Sequence, residues 1–253
     1  MISKNKIKAI RMLSLKKHRY ESSLFIAEGH KTVNELLRCF ECDFIAATEK
    51  WDRPDYISEN TDIQCVTENE LKQISLLESP QDVLAVFKMK KLSVSDIDFR
   101  GKLTIALDGV QDAGNLGTII RIADWFAVEN VVCSQGTVDV YNPKTVQASM
   151  GSLAHVNVVY TDLPVFLKGI DSTIHKYATT LDGENIYTTK LNENAIIVMG
   201  NEGNGISPEV KAVCDKSLLI PKILNDRFSA ESLNVGVATA LISAEFRRQL
   251  NFR

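Results

Sequence analysis

Apolar positions along the chain recur with two periods, and the alternation between them predicts most of the architecture. In the first third, LFIAEG (24–29), DFIAAT (43–48) and DVLAVF (82–87) read as strands. Helical spacing fills the intervals. Ile7, Ile10 and Leu13 recur three apart behind Ser3, a capping residue, and HKTVNELLRCF (30–40) turns Val33, Leu36, Leu37 and Phe40 inward. Thr67 and Glu70 have the capping-box spacing and predict a helix over 67–74. After a polar, charged stretch (88–101), the alternation becomes regular. LTIALDG (103–109), NVVCS (130–134), VNVVY (156–160), KYATTLD (176–182), AIIVMG (195–200) and KSLLIP (216–221) predict strands, with helical patterns between most of them. Asn142 before Pro143 and Ser207 before Pro208 each set a capping side chain ahead of a first-turn proline.

Strands alternating with helices imply an α/β fold with a mostly parallel sheet covered on both faces. Ligands of such sheets sit in the loops beyond the strand C-termini. The expected division is an N-terminal domain over 1–90, a linker over 91–101 and a larger domain over 102–253.

Composition narrows the class. The 253 residues are 45% hydrophobic and 24% charged, ordinary globular usage, and no apolar run has the length of a membrane helix. Five cysteines, an odd number in a chain this long, point to a reducing cytoplasm rather than a disulfide framework. The net charge of −3 hides an asymmetry. Residues 1–20 carry Lys4, Lys6, Lys8, Arg11, Lys16, Lys17 and Arg19 and no acid, leaving 22 basic and 32 acidic residues elsewhere. A basic segment on an acidic body suits a protein that meets phosphate at one defined place. A solvated helix face and an acid-poor transit peptide are the other readings of that run.

Three loops stand where the strand rule puts ligands. DGVQDAGNLGTIIR (108–121) follows the first strand of the larger domain and offers Asn115 and Arg121, which share a crevice if a helix starts near Gly117. GNEGNG (200–205) follows AIIVMG and sets Glu202 between turn residues. Its GxxGxG spacing is not the dinucleotide fingerprint GxGxxG, which excludes a nicotinamide-dependent oxidoreductase. The third loop leads into SLNVGVATALISAEFRRQ (232–249), where Ser232 can cap a helix with Asn234 in its first turn.

Together, strand–NxGxxxR–helix, strand–GNEGxG and strand–IP–SLNV–helix resemble the SpoU (TrmH-type) RNA ribose 2′-O-methyltransferases of the SPOUT class. Residues 142–151 are similar to a fourth segment of that family, and residues 1–90 to its N-terminal RNA substrate-binding domain, which makes the basic run part of a mature domain. The resemblance implies a trefoil-knotted C-terminal α/β domain that binds S-adenosyl-L-methionine, acts as a homodimer and methylates a ribose of structured RNA, ribosomal rather than transfer RNA. By the same resemblance, Gly200, Ile220 and Leu233 contact the cofactor, and Asn115, Arg121, Glu202, Ser232 and Asn234 form the catalytic or substrate-positioning set. The segment from Pro221 to Ser232 is longer than is usual in the family, which leaves the cofactor contacts of residues 222–231 open. A transfer-RNA enzyme and a non-catalytic RNA-binding protein on the same scaffold are the alternatives.

The chemistry demands no metal, and no His/Cys/Asp/Glu group has ligand spacing. Cys39 and Cys42 form a lone CxxC expected to supply core thiols. The four histidines lie outside the three loops, so none is assigned as base. Methyl transfer to a hydroxyl is an in-line displacement that needs alignment and removal of a proton. A guanidinium holds its own proton, so Arg121 is expected to orient the 2′-hydroxyl and stabilise alkoxide charge, with phosphate or solvent taking the proton. The basic residues of 1–20 are expected to hold RNA phosphates.

Overall fold

A computed structural model describes residues 2–57, 61–223 and 231–251. In chain order the elements are α1 (Lys4–Met12), α2 (Lys16–Ser22), β1 (Leu24–Glu28), α3 (His30–Leu36), β2 (Cys42–Ala47), β3 (Ile63–Cys65), α4 (Glu68–Ile74) and β4 (Val83–Lys88). There follow β5 (Leu103–Asp108), α5 (Ala113–Trp125), β6 (Asn130–Ser134), α6 (Pro143–Ser149), β7 (Asn157–Thr161) and α7 (Leu163–Gly169). The chain continues through β8 (His175–Asn185), β9 (Ala195–Gly200), α8 (Pro208–Lys211), β10 (Lys216–Leu219) and α9 (Val235–Asn251). They form two units. One comprises Met1–Lys91 with Asp139–His155, the other Leu92–Val138 with Val156–Arg253.

The first unit is built on a four-stranded sheet of order β1-β4-β2-β3, with β4 antiparallel to both neighbours and β2 parallel to β3. Side chains alternate across it. Ile26, Phe44, Leu84 and Val86 pack with Ile10 and Leu13 near α1 and with Leu71 and Ile74 of α4. On β1, Phe25 turns to the opposite face and stacks on Phe87 at 5.6 Å and on Tyr141 at 4.7 Å, which joins segment 139–155 to this unit. Ser3 caps α1 as its spacing predicts, its Oγ accepting from Lys6 N at 3.3 Å. Thr67 and Glu70 complete the capping box of α4. The 30–40 helix stops at Leu36, although Phe40 is still buried. Short β3 gives no usable periodicity in the sequence. Of the CxxC pair, burial pushes the Cys42 thiol up to about 12, whereas Cys39 is exposed rather than in the core.

Arg19 is a correction to the sequence reading. Helix α2 packs on β1, and its inward position is taken by Arg19, 1% exposed. Arg19 Nε and Nη2 donate to Asp139 Oδ2 at 3.1 and 2.6 Å, and Nη1 donates to the carbonyls of Leu13 and Ser14 at 2.8 and 2.9 Å. Asp139 Oδ1 accepts from the Tyr20 hydroxyl at 3.1 Å. A guanidinium so enclosed and so fully engaged holds the fold and does not meet RNA phosphate.

The second unit has six parallel strands in the order β10-β8-β9-β5-β6-β7. The central strands β5 and β9 are buried on both faces, which is why they read as near-continuous apolar runs. Ala106, Val132, Ile196 and Val198 pack against Leu163 and Leu167 of α7 and Val210 of α8. Across the sheet, Tyr177 of β8 meets Phe246 of α9 edge to face at 5.5 Å. Helices α5 and α9 run side by side, with Gly236 against Thr118 at one end and Arg247 reaching the Phe126 and Ala127 carbonyls, both at 2.7 Å, at the other. Among the described residues no helix is long and apolar enough to cross a membrane.

Candidate active site

The ends of β5 and β9 are tied together before any functional side chain is placed. Asp108, last in β5, accepts from Ser207 N at 2.7 Å. Gly109 turns at φ +73°, which a side chain would resist, and its N–H donates to Ser134 Oγ at 2.9 Å. Asn201 crosses from the other strand, its Nδ2 donating to the Gly109 carbonyl at 2.7 Å while its Oδ1 accepts from Gly203 N and Asn204 N. Gly200 permits this turn. A Cβ there would lie 2.3 Å from the Gly205 carbonyl carbon and 2.4 Å from Ile206 N. Sequence reasoning singled out Glu202 and passed over its neighbour Asn201. The signal was a short amide side chain just past the strand, placed to mimic a turn.

Three side chains from three loops then meet. Asn234 Nδ2 donates to Asn115 Oδ1 at 2.9 Å, and Asn115 Nδ2 donates to Glu202 Oε1 at 2.9 Å. The direction of this chain is fixed at its far end. Asn234 Oδ1 accepts from Gly236 N at 2.9 Å and Val237 N at 3.3 Å, the free N–H groups at the start of α9, so its Nδ2 must face Asn115. Glu202 also accepts from Gln111 N and Asp112 N, both at 3.3 Å. Partial burial pulls its carboxyl upward. The hydrogen bonds from Asn115 and the backbone outweigh that and hold it below the usual carboxylate range, so it stays ionised.

Two expectations about helix starts are corrected by the same geometry. Helix α5 starts at Ala113, not near Gly117, because Asp112 Oδ1 accepts from Asn115 N at 2.8 Å and opens the helix earlier. That releases the Asn115 side chain for the network. Helix α9 is capped by Asn234 and not by Ser232, which is exposed and makes no hydrogen bond to the described residues. With α5 starting at Ala113, Asn115 and Arg121 sit on one helix about 240° apart around its axis, so the crevice expected for a start near Gly117 does not bring them together. Arg121 is exposed, without an ion pair or hydrogen bond among the described residues. Gly200 and Ile220 are half-buried and Leu233 is exposed. Within the lengthened 222–231 loop, residues 224–230 lie outside the described residues.

In the first unit the basic run sorts itself. Lys4, Lys8 and Arg11 line a surface groove with Ile7, Met12 and Leu15. Lys16 and Lys17 are exposed, Lys17 beside Glu21 at 3.8 Å. Lys6 is turned onto the Phe44 ring and pairs with Asp62 at 3.0 Å, and Arg11 Nη1 donates to the Gln73 carbonyl at 3.0 Å. Arg19 has left the surface altogether.

Comparison with known proteins matches residues 102–244 to the SpoU rRNA Methylase family, more than half of the chain. This chain belongs to that family. Residues 4–85 match the MRM3-like substrate binding domain. The SpoU chain is 31% identical over 248 residues to the 23S rRNA (guanosine(2553)-2′-O)-methyltransferase RlmP of Bacillus subtilis, covering 96% of both. Among solved structures it superposes on a TrmH-family chain from Porphyromonas gingivalis at 38% identity and TM-score 0.87, covering 98% and 99% of the two chains. It also superposes on an AdoMet-bound rRNA methyltransferase from Sinorhizobium meliloti at 28% identity and TM-score 0.85, covering 99% and 97%. The SpoU relationship therefore spans both units, and the converging Asn115, Glu202 and Asn234 lie inside the matched segment.

Proposed function

We propose that this SpoU chain transfers a methyl group from S-adenosyl-L-methionine to the 2′-hydroxyl of a ribose in large-subunit ribosomal RNA. The observation that carries the reading is the Asn234–Asn115–Glu202 chain of hydrogen bonds, which locks three loops together at one end of the parallel sheet. The residues fit the cofactor. Gly200, at the tight turn after β9, half-buried Ile220 after β10 and exposed Leu233 before α9 would hold it, the two aliphatic side chains offering apolar surface. When bound, the sulfonium supplies an activated methyl group.

The chain's own residues do the rest. Asn115, with its amide held at both ends, presents one fixed N–H and one lone pair to the ribose, and Glu202 keeps that amide and the 111–112 backbone in place. Arg121 orients the hydroxyl and stabilises the charge that develops on its oxygen, and the proton leaves to phosphate or solvent. Lys4, Lys8, Arg11, Lys16 and Lys17 hold RNA by its phosphates. The protein works in the cytoplasm, where ribosomes are assembled.

A second copy completes the reading. Trp125 is 84% exposed, and Val237 and Leu241 of the neighbouring helix α9 are exposed too, an apolar face that a homodimer would cover. The knotted threading implied by the family is part of the same proposal. The deciding experiment incubates the protein with methyl-labelled S-adenosyl-L-methionine and ribosomal RNA from cells lacking it, then digests the RNA. Label in a 2′-O-methyl nucleoside is expected. Label in a base, or label accepted only by transfer RNA, would overturn the proposal.

A further inference from the structure

We propose that the first unit carries a second RNA contact, a stacking platform for an unpaired base formed by Arg38 and Tyr56. It rests on the RNA-methylating reading above and uses none of the basic residues of α1 and α2.

Tyr56 belongs to the loop after β2 and is 44% exposed, yet its ring is anchored. Its hydroxyl donates to the main-chain carbonyl of Asn34 at 2.7 Å. The side chain of the same Asn34 accepts from Trp51 Nε1 at 3.1 Å, with the Trp51 ring buried. One residue of α3 thus holds both aromatic residues of the loop. The Arg38 guanidinium, in the turn after α3, lies 4.5 Å from the centroid of the Tyr56 ring. Its Nε is 3.7 Å from Glu35 Oε2, too long for a full hydrogen bond, and its side chain is 55% exposed. Each feature matters to what the pair can bind. A guanidinium over a ring at that distance is in cation–π range, and with so much of Arg38 open to solvent the pair turns a cationic, aromatic-backed surface outward.

An unpaired base is the ligand that matches such a surface. Bases splayed from RNA stack on aromatic rings and guanidinium planes, and every base has a face to offer. A phosphate matches poorly. The charges on α3, the turn that follows it and the 51–56 loop are slightly acidic, with Lys31, Arg38 and Arg53 against Glu35, Glu41, Asp52 and Asp55. Such a neighbourhood draws no polyanion toward it, whereas the groove of Lys4, Lys8 and Arg11 does. The two surfaces are complementary: α1 supplies sequence-blind attraction, and Arg38 with Tyr56 selects RNA whose bases are free to stack.

The test measures binding of the full-length protein to a short single-stranded RNA carrying one 2-aminopurine, beside a fully paired hairpin, across a range of salt. Wild type should quench the single strand's fluorescence and bind it in preference to the hairpin. Tyr56→Ala and Arg38→Lys should each weaken binding about 5- to 150-fold, the range for one base–aromatic stack. The salt slope, the melting temperature and S-adenosyl-L-methionine binding should all keep their wild-type values. Arg38→Lys keeps the charge and touches no buried group, so it stays informative even if Tyr56→Ala unfolds the loop. If Arg38→Lys binds and quenches as wild type while the protein still methylates RNA, Arg38 acts only as a charge and the platform is wrong. Equal losses on the hairpin would overturn it as well. A wild-type protein that neither binds nor methylates RNA would bring down both readings.

Discussion

Helix α2 in one unit and helix α5 in the other each carry an arginine that the sequence marks as functional, and their surroundings give the two opposite work. Arg19 has four hydrogen bonds to Asp139 and two carbonyls in a site closed to water. Arg121 stands in solvent with no partner among the described residues. The difference is in what each guanidinium would lose on being asked to bind something. Arg19 would have to abandon a buried carboxylate. Arg121 gives up only water. An engaged, buried charge belongs to the fold, and an open one keeps its donors for a ligand.

The comparison breaks most visibly by truncation at Arg19. Arg19→Ala strands the Asp139 carboxylate in the interior and should cost about 3–5 kcal/mol of stability. Arg19→Met with Asp139→Leu should recover part of it, because no charge is stranded although the Leu13 and Ser14 carbonyls and the Tyr20 hydroxyl lose their bonds. Urea unfolding checks both. If Arg19→Ala kept wild-type stability and only RNA affinity fell, Arg19 would return to the RNA-facing surface. The counterpart in α5 should behave the other way. Arg121→Ala should leave unfolding and cofactor binding alone while turnover falls about 10²- to 10³-fold, the usual cost of one charge-stabilising donor. Retained methylation would remove Arg121 from the mechanism.

These two outcomes also mark how far the sequence could be read. The strands of the second unit were legible because parallel strands buried on both faces are mostly apolar, as β5, β6 and β9 are apart from polar residues such as the buried Thr104 and Asn130. The loops were legible because Asn115 follows β5, Glu202 follows β9 and Asn234 follows β10, and an acid in the Gly-rich turn at 202 has little structural motive. What stayed hidden was which side of a short helix faces inward. Seven residues of α2 show no apolar stripe, so nothing in KKHRYES distinguishes Arg19 from Lys16 or Lys17. Asp139 lies 120 positions away, and periodicity carries no information over that range. The start of α9 stayed hidden for a related reason. Ser232 and Asn234 are equally good cap residues by type, and only three-dimensional closure chooses between them.

The network sharpens the comparison through Asn234, which works for fold and site at once. Asn234→Asp keeps an oxygen for the N–H groups of Gly236 and Val237 but removes the donor to Asn115. Stability should hold and turnover should drop by about 10²-fold, the scale expected when a positioning group shifts by an ångström. A matching fall in stability would show the Asn234–Asn115 bond to be structural. On the other unit, Lys4→Glu with Lys8→Glu should lower the salt slope of RNA binding by about 0.7 to 0.9 for each phosphate that is no longer neutralised. Arg19→Met with Asp139→Leu should leave that slope untouched. An unchanged slope in the lysine pair would make α1 a solvated face.

The smallest effect sits where the same two helices end. Helix α2 stops at Ser23 with φ +56°, and α5 stops just before Ala127 with φ +50°, left-handed conformations that side chains resist. Around Ala127 the closing bonds are those of a Schellman turn, Val128 N to the Ala123 carbonyl at 2.7 Å and Ala127 N to the Asp124 carbonyl at 3.1 Å. Glycine is the residue this position favours. The strain on alanine is about 1–2 kcal/mol, and glycine's greater loss of backbone freedom returns about 0.5–1 kcal/mol of that. Ala127→Gly should therefore stabilise the protein by about 0.5–1 kcal/mol, since Arg247 grips the Phe126 and Ala127 carbonyls and keeps its bonds whatever the side chain. Turnover should not change. A destabilised Ala127→Gly would mean that the methyl group packs well enough to repay its strain. The end of α5 would then be held by that side chain as well as by the grip of Arg247 on its carbonyls.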